Sequence, residues 1–284
     1  MHRAPKAFAT LLITASLAVF FVAQTALAAL APVGLGTAGA FAVLAGETIT
    51  NTGPTTITGN VGLHPGSAVT GFASVTLHGT QHVADGVALQ AKNDLITAYN
   101  NAAGRTPVTT VATELGGQSL KSGVYNSTAG TFGVTGTLTL DAEGNSHAVF
   151  IFKMASTLIT APASRVSLVN GAQACNVYWQ VGSSATLDTT TSFKGTILAL
   201  TSIAMKTGAT LEGRALARNG EVTLDTNVIT RAACTTPSSS DTAMARGGEP
   251  MALGLPISLL LIGILALMIS GALASVRRLS APRR

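Results

Sequence analysis

Three consecutive segments of 18 residues near the C-terminal end of the chain resemble one another without gaps. They read VYWQVGSSATLDTTTSFK, GTILALTSIAMKTGATLE and GRALARNGEVTLDTNVIT, at residues 177–194, 195–212 and 213–230. Val, Ile, Thr and Phe occur in short runs between Gly and Asn, which is typical of strands and turns. A repeat of this length buries its apolar side only by stacking on its neighbours, so the pattern predicts a β-solenoid.

Two columns of this alignment are apolar in every repeat and predict the interior of the solenoid. Their members are Trp179, Ile197 and Ala215 in the first column, and Phe193, Leu211 and Ile229 in the second. A slip of one residue from Val222 onward improves the match of the third repeat. Strand-like runs from Phe41 to Leu77, such as FAVLAG and TTITGNVGL, indicate that the solenoid begins there.

A helical period interrupts the strand-like pattern at about residues 83–102. Apolar residues recur about every 3.6 positions, Lys92, Asn93 and Asp94 lie off that stripe, and Gly104 marks the end. A helix of about 20 residues is about 30 Å long, so we expect it to lie along roughly six stacked coils. AVFIFK and TILAL are apolar on both sides, which predicts strands between the solenoid interior and this helix.

Segments at both ends of the chain are predicted to lie outside the solenoid domain, which we place at residues 29–234. Residues 1–28 have a basic start, an apolar run and a small-residue cleavage site, so they predict a signal peptide. A Ser/Thr/Pro/Gly-rich linker is predicted at 235–250, a transmembrane helix at 251–276 and a basic cytoplasmic tail at 277–284. We therefore expect an exported protein at the cell surface, attached to the membrane or released by C-terminal processing.

Charge and cysteine content narrow the possible partners. The whole chain has a net charge of +5, but residues 29–250 contain 11 Lys and Arg against 12 Asp and Glu. This near-neutral domain lacks the basic patch that a nucleic-acid partner needs. Cys175 and Cys234 flank the repeats, and an even count in an exported chain predicts a disulfide. The alternative is one core thiol and one exposed thiol.

The sequence offers weak candidates for catalysis, metal binding or cofactor binding. GLGTAG at residues 34–39 matches a dinucleotide-binding pattern, but it lacks the preceding strand, the following helix and the acidic residue. His78, His82 and Asp85 lack a further ligand, and the acidic pairs Asp141 with Glu143 and Glu221 with Asp225 lie at turns. We therefore predict no enzyme activity, no metal, no cofactor and no small-molecule substrate.

Threonines at matched positions of the repeats predict regular rows on the solenoid surface. Stacked strands place such residues about 4.8 Å apart, where a hydroxyl can hold water and a methyl group limits competing hydration. The alternative is that Thr simply suits exposed strands. The candidate residues are Thr189, Thr207 and, after the slip, Thr226; Ser192 and Thr210; and Thr186, Ala204 and Thr223, beside the charged Asp188, Lys206 and Asp225.

The segments from about Leu35 to Thr230 closely resemble the microbial ice-binding protein family. FAVLAGETITNTGPTTITGNVGLHPG, SGVYNSTAGTFGVTGTLTLD and FKGTILALTSI carry the resemblance, in the expected order. The resemblance implies a right-handed, three-faced, irregular β-solenoid without enzyme activity that adsorbs to ice through a flat face. Some members of that family carry a T-A/G-x-T/N motif, which Thr207 to Thr210 match and from which Thr189 to Ser192 depart at two places.

The predicted fold class is therefore mainly β: a right-handed, irregular, three-faced β-solenoid with one long α-helix alongside and a C-terminal transmembrane helix. The functional hypothesis is adsorption to ice at the cell surface, limiting ice growth or recrystallisation or holding the cell to ice. The alternative is a surface adhesin or structural solenoid that binds glycan or protein. Two rows compete for the ice: the one with Thr189, Thr207 and Thr210, which we place first, and the one with Thr186 and Thr223.

Overall fold

The short apolar runs of the sequence form parallel strands that wind into a solenoid. The structure is a computed structural model and describes residues 30–235. Seven strands precede the only α-helix of this range, α1 (Gly86–Ala103). They are β1 (Phe41–Ala45), β2 (Thr48–Thr52), β3 (Thr55–Thr58), β4 (Asn60–Leu63), β5 (Ala68–Thr70), β6 (Val75–His78) and β7 (Gln81–Val83).

Fifteen strands follow the helix, and three short 3-10 helices occur at Gly36–Ala40, Phe72–Ser74 and Ala174–Asn176. The first eight of these strands are β8 (Thr109–Thr110), β9 (Ser119–Leu120), β10 (Gly123–Asn126), β11 (Phe132–Val134), β12 (Thr137–Asp141), β13 (Phe150–Met154), β14 (Leu158–Thr160) and β15 (Arg165–Val169). The last seven are β16 (Val177–Val181), β17 (Ala185–Leu187), β18 (Ser192–Ala199), β19 (Ile203–Met205), β20 (Thr210–Ala217), β21 (Val222–Asp225) and β22 (Val228–Thr230).

Each coil of the solenoid passes through three faces, and neighbouring coils pair in parallel on every face. Face 1 stacks β8, β10, β13, β16, β18, β20, β1, β4 and β7 in that order. Face 2 is a separate sheet of β11, β14, β17, β19, β21, β2 and β5. Face 3 stacks β9, β12, β15, β18, β20, β22, β3 and β6.

Two glycines let β18 and β20 bend from face 3 onto face 1. Gly195 and Gly213 pair with each other at the bend, with φ of 107° and 159°. A side chain on Gly213 would place its Cβ 1.8 Å from the carbonyl oxygen of Gly195. Glycine opens the second and third repeats because the chain passes too closely here for a side chain.

The register of the strands confirms the columns of the repeat alignment. Trp179, Ile197 and Ala215 pair in succession, and so do Phe193, Leu211 and Ile229. All six are at most 1% exposed in the solenoid interior. There Phe152 stacks on Trp179 with ring centroids 4.1 Å apart, which adds aromatic contact to apolar burial.

The chain does not add coils in sequence order. β1, β2 and β3 pair with β20, β21 and β22, so the first coil lies against the last. Later N-terminal strands extend the stack to β5, β6 and β7 at one end, and α1 carries the chain back to β8 at the other end. Face 1 has nine stacked strands and is about 38 Å long, whereas we expected about six coils beside the helix. The 18 residues of α1 are about 27 Å long, so the helix covers only part of this face.

Helix α1 packs on face 1 through its apolar stripe, as predicted. Ala91, Leu95 and Ala98 share a buried cluster with Leu198 and Leu216, the outward residues of TILAL and its neighbouring strand. The helix begins three residues later than predicted because residues 81–83 form β7 and Asp85 accepts the N-terminal hydrogen bond from the Ala88 backbone N–H.

The prediction that Lys92 lies away from the buried stripe was wrong. Lys92 is 6% exposed, and its Nζ donates to the backbone oxygens of Ala217, at 2.6 Å, and of Arg218. Burial, with a smaller contribution from Arg218, lowers the pKa of Lys92 to about 7. Its flexible stem lets the amino group reach carbonyl groups at the corner of the solenoid.

The predicted fold class, which included a long α-helix and a transmembrane helix, needs correction. Among residues 30–235 no helix is long and apolar enough to cross a membrane. The single helix of this range has 18 residues, and its apolar side is a stripe that face 1 already covers. The fold is therefore mainly β, with parallel sheets and one short helix. The predicted signal peptide (1–28) and transmembrane segment (251–276) lie outside the described residues.

Cys175 and Cys234 form a disulfide with their Cα atoms 5.4 Å apart. It fixes the end of the described chain beside the 3-10 helix that precedes β16. The buried guanidinium of Arg214 donates to the Ala232 oxygen, 2.9 Å away, and Gln173 contacts Thr235. Residues 30–235 therefore contain their own core, strands and disulfide.

Candidate functional site

A row of uncharged side chains, most of them small, runs along the middle of face 2, and its one large member, Ile159, is 52% exposed. Each strand of this sheet contributes one outward residue at the matched register position, and in β11, β14, β17 and β19 it lies between two residues that point into the core. Seven strands about 4.8 Å apart make the row roughly 29 Å long. We call it the central row, and its members in stacking order are Gly133, Ile159, Thr186, Ala204, Thr223, Thr50 and Thr70.

The central row contains no charged residue, whereas charges lie at both borders of face 2. On one border Thr48 Oγ1 donates to the Glu221 carboxylate at 3.4 Å. On the other, Lys206 Nζ lies 3.1 Å from Asp188 Oδ2. Face 2 therefore presents a narrow neutral strip between two charged margins.

Thr189, Thr207 and Thr226 lie at the turns between faces 2 and 3 rather than on strands. We call them the corner column. Thr207 and Thr226 both donate their hydroxyls to Asp225, and Thr226 has a positive φ of 53°. Because these two hydroxyls bind a carboxylate within the protein, they are poorly placed to form a flat array.

Ser192 and Thr210 pair with each other on face 3, as their column predicts. Their row continues into Arg165 on one side and Val228 on the other. The next row of the same face holds the ion pair between Lys194 and Glu212, 2.5 Å apart. The structure therefore distributes the seven hydroxyl candidates over three surfaces, and only Thr186 and Thr223 belong to the central row.

Sequence reasoning missed Thr50, Thr70 and Ile159 as members of the central row. The repeats that revealed Thr186 and Thr223 end at residue 230, but β2 and β5 continue their sheet from the N-terminal part of the chain. A usable signal was present, because TITNTG at 48–53 pairs with EVTLDT at 221–226 and has the same alternation.

The other chemical candidates are separated by the fold or satisfied locally. His82 Nδ1 lies 2.8 Å from Asp85 Oδ2 at the start of α1, while His78 is on face 3. Asp141 caps a turn by accepting from the Glu143 backbone N–H at 2.8 Å. Within residues 30–235 no three His, Cys, Asp or Glu side chains are grouped as a metal ion requires.

Asp188, at one border of face 2, is stabilised in its ionised form by its surroundings. The Thr189 backbone N–H donates to Asp188, and this hydrogen bond together with Lys206 lowers the pKa of Asp188 below its usual value. Asp188 therefore remains ionised at neutral pH. Its charge and that of Lys206 stay at the margin, outside the central row.

Comparisons with known proteins identify the family of this chain. The profile of the family described as Ice-binding-like matches residues 43–230, two thirds of the chain. The chain belongs to the ice-binding-like family. A relative named ice-binding protein, from Nostoc sp. (strain HG1), is 49% identical over 205 residues, which cover 72% of this chain and 76% of the relative.

Solved structures of ice-binding proteins also align with the chain over most of their length. One, from an Antarctic biological consortium, has a TM-score of 0.71 and 49% identity and covers 72% of this chain and 94% of that structure. Another, from the Antarctic ascomycete Antarctomyces psychrotrophicus, has a TM-score of 0.68 and 38% identity, with 71% and 99% covered. These two solved structures thus share the fold of this chain, and the relatives are named for ice binding rather than for a reaction.

Proposed function

We propose that this protein adsorbs to ice through the central row of face 2, and so limits ice growth or recrystallisation or attaches its carrier to ice. Membership of the ice-binding-like family supports the ligand. The single observation that carries the choice of surface is the neutral, evenly spaced row, in which Thr186, Thr223 and Thr50 project from consecutive layers except where Ala204 intervenes.

Small side chains without charge suit this task for a physical reason. A crystal surface that approaches a charged group must remove its hydration water, which costs free energy unless a partner compensates. Threonine and alanine impose little of this cost, and the threonine hydroxyl can hydrogen-bond to ordered water. The corner column and the middle of face 3 are less suitable because Asp225, Lys194 and Glu212 lie there.

We propose export as the setting for this activity. The disulfide between Cys175 and Cys234 supports it, since such bonds persist in oxidising compartments. Recovery of the oxidised protein from the culture supernatant or the cell surface would agree with export. A reduced protein found only in the cytoplasm would contradict it.

Bulky substitutions on two faces test the choice of surface. Thr223→Tyr inserts a ring into the middle of the central row, whereas Thr210→Tyr makes the same change on face 3 as a matched control. We expect Thr223→Tyr to lose incorporation into growing ice while Thr210→Tyr keeps it, with both folds verified by circular dichroism. The opposite pattern would move the site to face 3, and an inactive wild-type domain would contradict ice binding itself.

A further inference from the structure

The two ends of the solenoid differ in how their strand edges are protected. We call β5, β6 and β7 the open end, because in residues 30–235 no strand pairs with their outer edges. We call β8, β9 and β11 the capped end. An edge strand presents backbone N–H and C=O groups to any strand that approaches, so its protection determines whether it pairs with another chain.

The capped end is protected by short strands and by a carboxylate. β8 and β9 have two residues each. Glu114 bridges to Gly133 of β11, and its Oε1 accepts from the backbone N–H groups of Gly116, at 2.8 Å, and Thr135, at 2.7 Å. A charged side chain over the edge amides opposes pairing there.

At the open end the strands have three or four residues, and the carboxylate beside them, Asp85, is engaged by His82 and by the Ala88 backbone N–H at the start of α1. No Asp, Glu, Lys or Arg occurs from residue 48 to residue 84, which includes all three edge strands. Val69, Phe72, Val75, Leu77 and Val83 contact the core but remain only half-buried. The first turn of α1, directly after β7, adds Val87 and Leu89, which are 49% and 43% exposed.

We propose that the open end is a homodimer interface in which two copies pair edge to edge about a twofold axis. The partner is a second copy because a strand edge is self-complementary when it pairs antiparallel with itself, and the three edge strands carry no Asp, Glu, Lys or Arg that would repel the same strands of the copy. A head-to-tail arrangement would need the capped end, where Glu114 already occupies the edge amides. The contact is therefore closed and stops at two copies.

A twofold axis perpendicular to face 2 pairs β5 with β5 of the copy, and β6 with β7. This geometry joins the two seven-stranded sheets and brings both central rows to the same side, end to end through Thr70. The dimer itself does not depend on ice, whereas any gain in ice adsorption from the joined central rows rests on the proposed function. A longer rigid array holds ice more strongly because both halves adsorb together.

Sedimentation of the oxidised domain 30–235 tests the dimer in the absence of ice. We expect the wild-type mass to double as protein concentration rises, and Thr76→Lys to remain monomeric because a lysine on the edge strand β6 opposes its pairing with β7 of the copy. Thr137→Lys is the matched control, since Thr137 is equally exposed and belongs to the same row of face 3 near the capped end. A wild-type protein that is monomeric at every concentration, or a Thr76→Lys variant that dimerises like Thr137→Lys, would overturn the proposal.

Ice activity then tests the joined face separately. At a concentration where wild type is dimeric, we expect Thr76→Lys to show lower thermal hysteresis than Thr137→Lys at equal mass. Equal hysteresis in a monomeric Thr76→Lys variant would overturn the joined face. If wild type had no ice activity, the proposed function would fail, but the sedimentation result would still decide whether the open end forms a dimer.

Discussion

Face 2 and face 3 are made by the same coils, but their charges lie in different places. On face 2 the charged residues stand at the borders, as Glu221 and as the pair of Lys206 with Asp188. On face 3 the outward strand positions themselves include Arg165 and the ion pair between Lys194 and Glu212. Both faces are otherwise rich in hydroxyl groups. The comparison shows that threonine content does not distinguish the faces, whereas the position of charge does.

Placing charge in the central row should have the largest effect. The double variant Thr186→Lys/Thr223→Lys should lose ice affinity by at least about tenfold, because desolvating an unpaired ammonium group costs more than about 1.4 kcal/mol. The same change on face 3, Ser192→Lys/Thr210→Lys, is the control. Ice-affinity partitioning measures both. Equal losses in the two variants would mean that the faces do not differ in function.

Removing charge from face 3 should have a smaller effect in the opposite direction. In a Thr223→Tyr background, the changes Arg165→Thr, Lys194→Thr and Glu212→Thr should restore part of the lost affinity if charge is what excludes this face from ice. The exposed pair contributes at most about 1 kcal/mol, so the melting temperature should change little. A neutral face 3 that stays inactive would show that straightness or row length also matters.

Replacing Asp188 at the border of face 2 should have the smallest effect, visible only in acid. Its pKa is lower in the folded protein than in the unfolded chain, so its charge stabilises the fold above about pH 4 and this contribution is lost as pH falls through the folded pKa. In Asp188→Asn the free energy of unfolding should therefore fall slightly less steeply as the pH is lowered, and ice affinity at neutral pH should be unchanged. Denaturant unfolding across that pH range measures it, and a large change in ice affinity would place the border within the contact surface.

The local pattern of the sequence predicted the repeats, their interior columns and the face that the helix covers. Those features depend on neighbouring segments and on apolar periodicity, which the sequence displays directly. Thr50 and Thr70 were not placed, because TITNTG shows the same alternation as EVTLDT but the position of β2 beside β21 depends on the path of α1 over the whole solenoid. Lys92 was misplaced for a similar reason: its position on the helix is polar by pattern, but carbonyl groups of a distant strand receive its amino group.

The prediction of the first-choice site residues depended on spacing alone. Thr189 and Thr207 occur at matched positions, yet the chain turns there and Asp225 engages the hydroxyl of Thr207. Turn geometry and a stacked carboxylate cannot be read from a period of 18. The candidates on straight strands, Thr186 and Thr223, are now favoured by their surroundings, and their role in ice binding remains a prediction.

The pairing of β1 to β3 with β20 to β22 affects the order in which the protein can be completed. A ribosome produces the first coil early, but the strands that flank it on faces 1, 2 and 3 emerge only between residues 210 and 230. Until then the nascent N-terminal coil has an unpaired edge, and the contacts that close it join residues far apart in sequence. Such contacts slow folding. This solenoid therefore cannot be finished coil by coil during synthesis, and any chain that stops before Thr210 lacks all three strands that join its two halves.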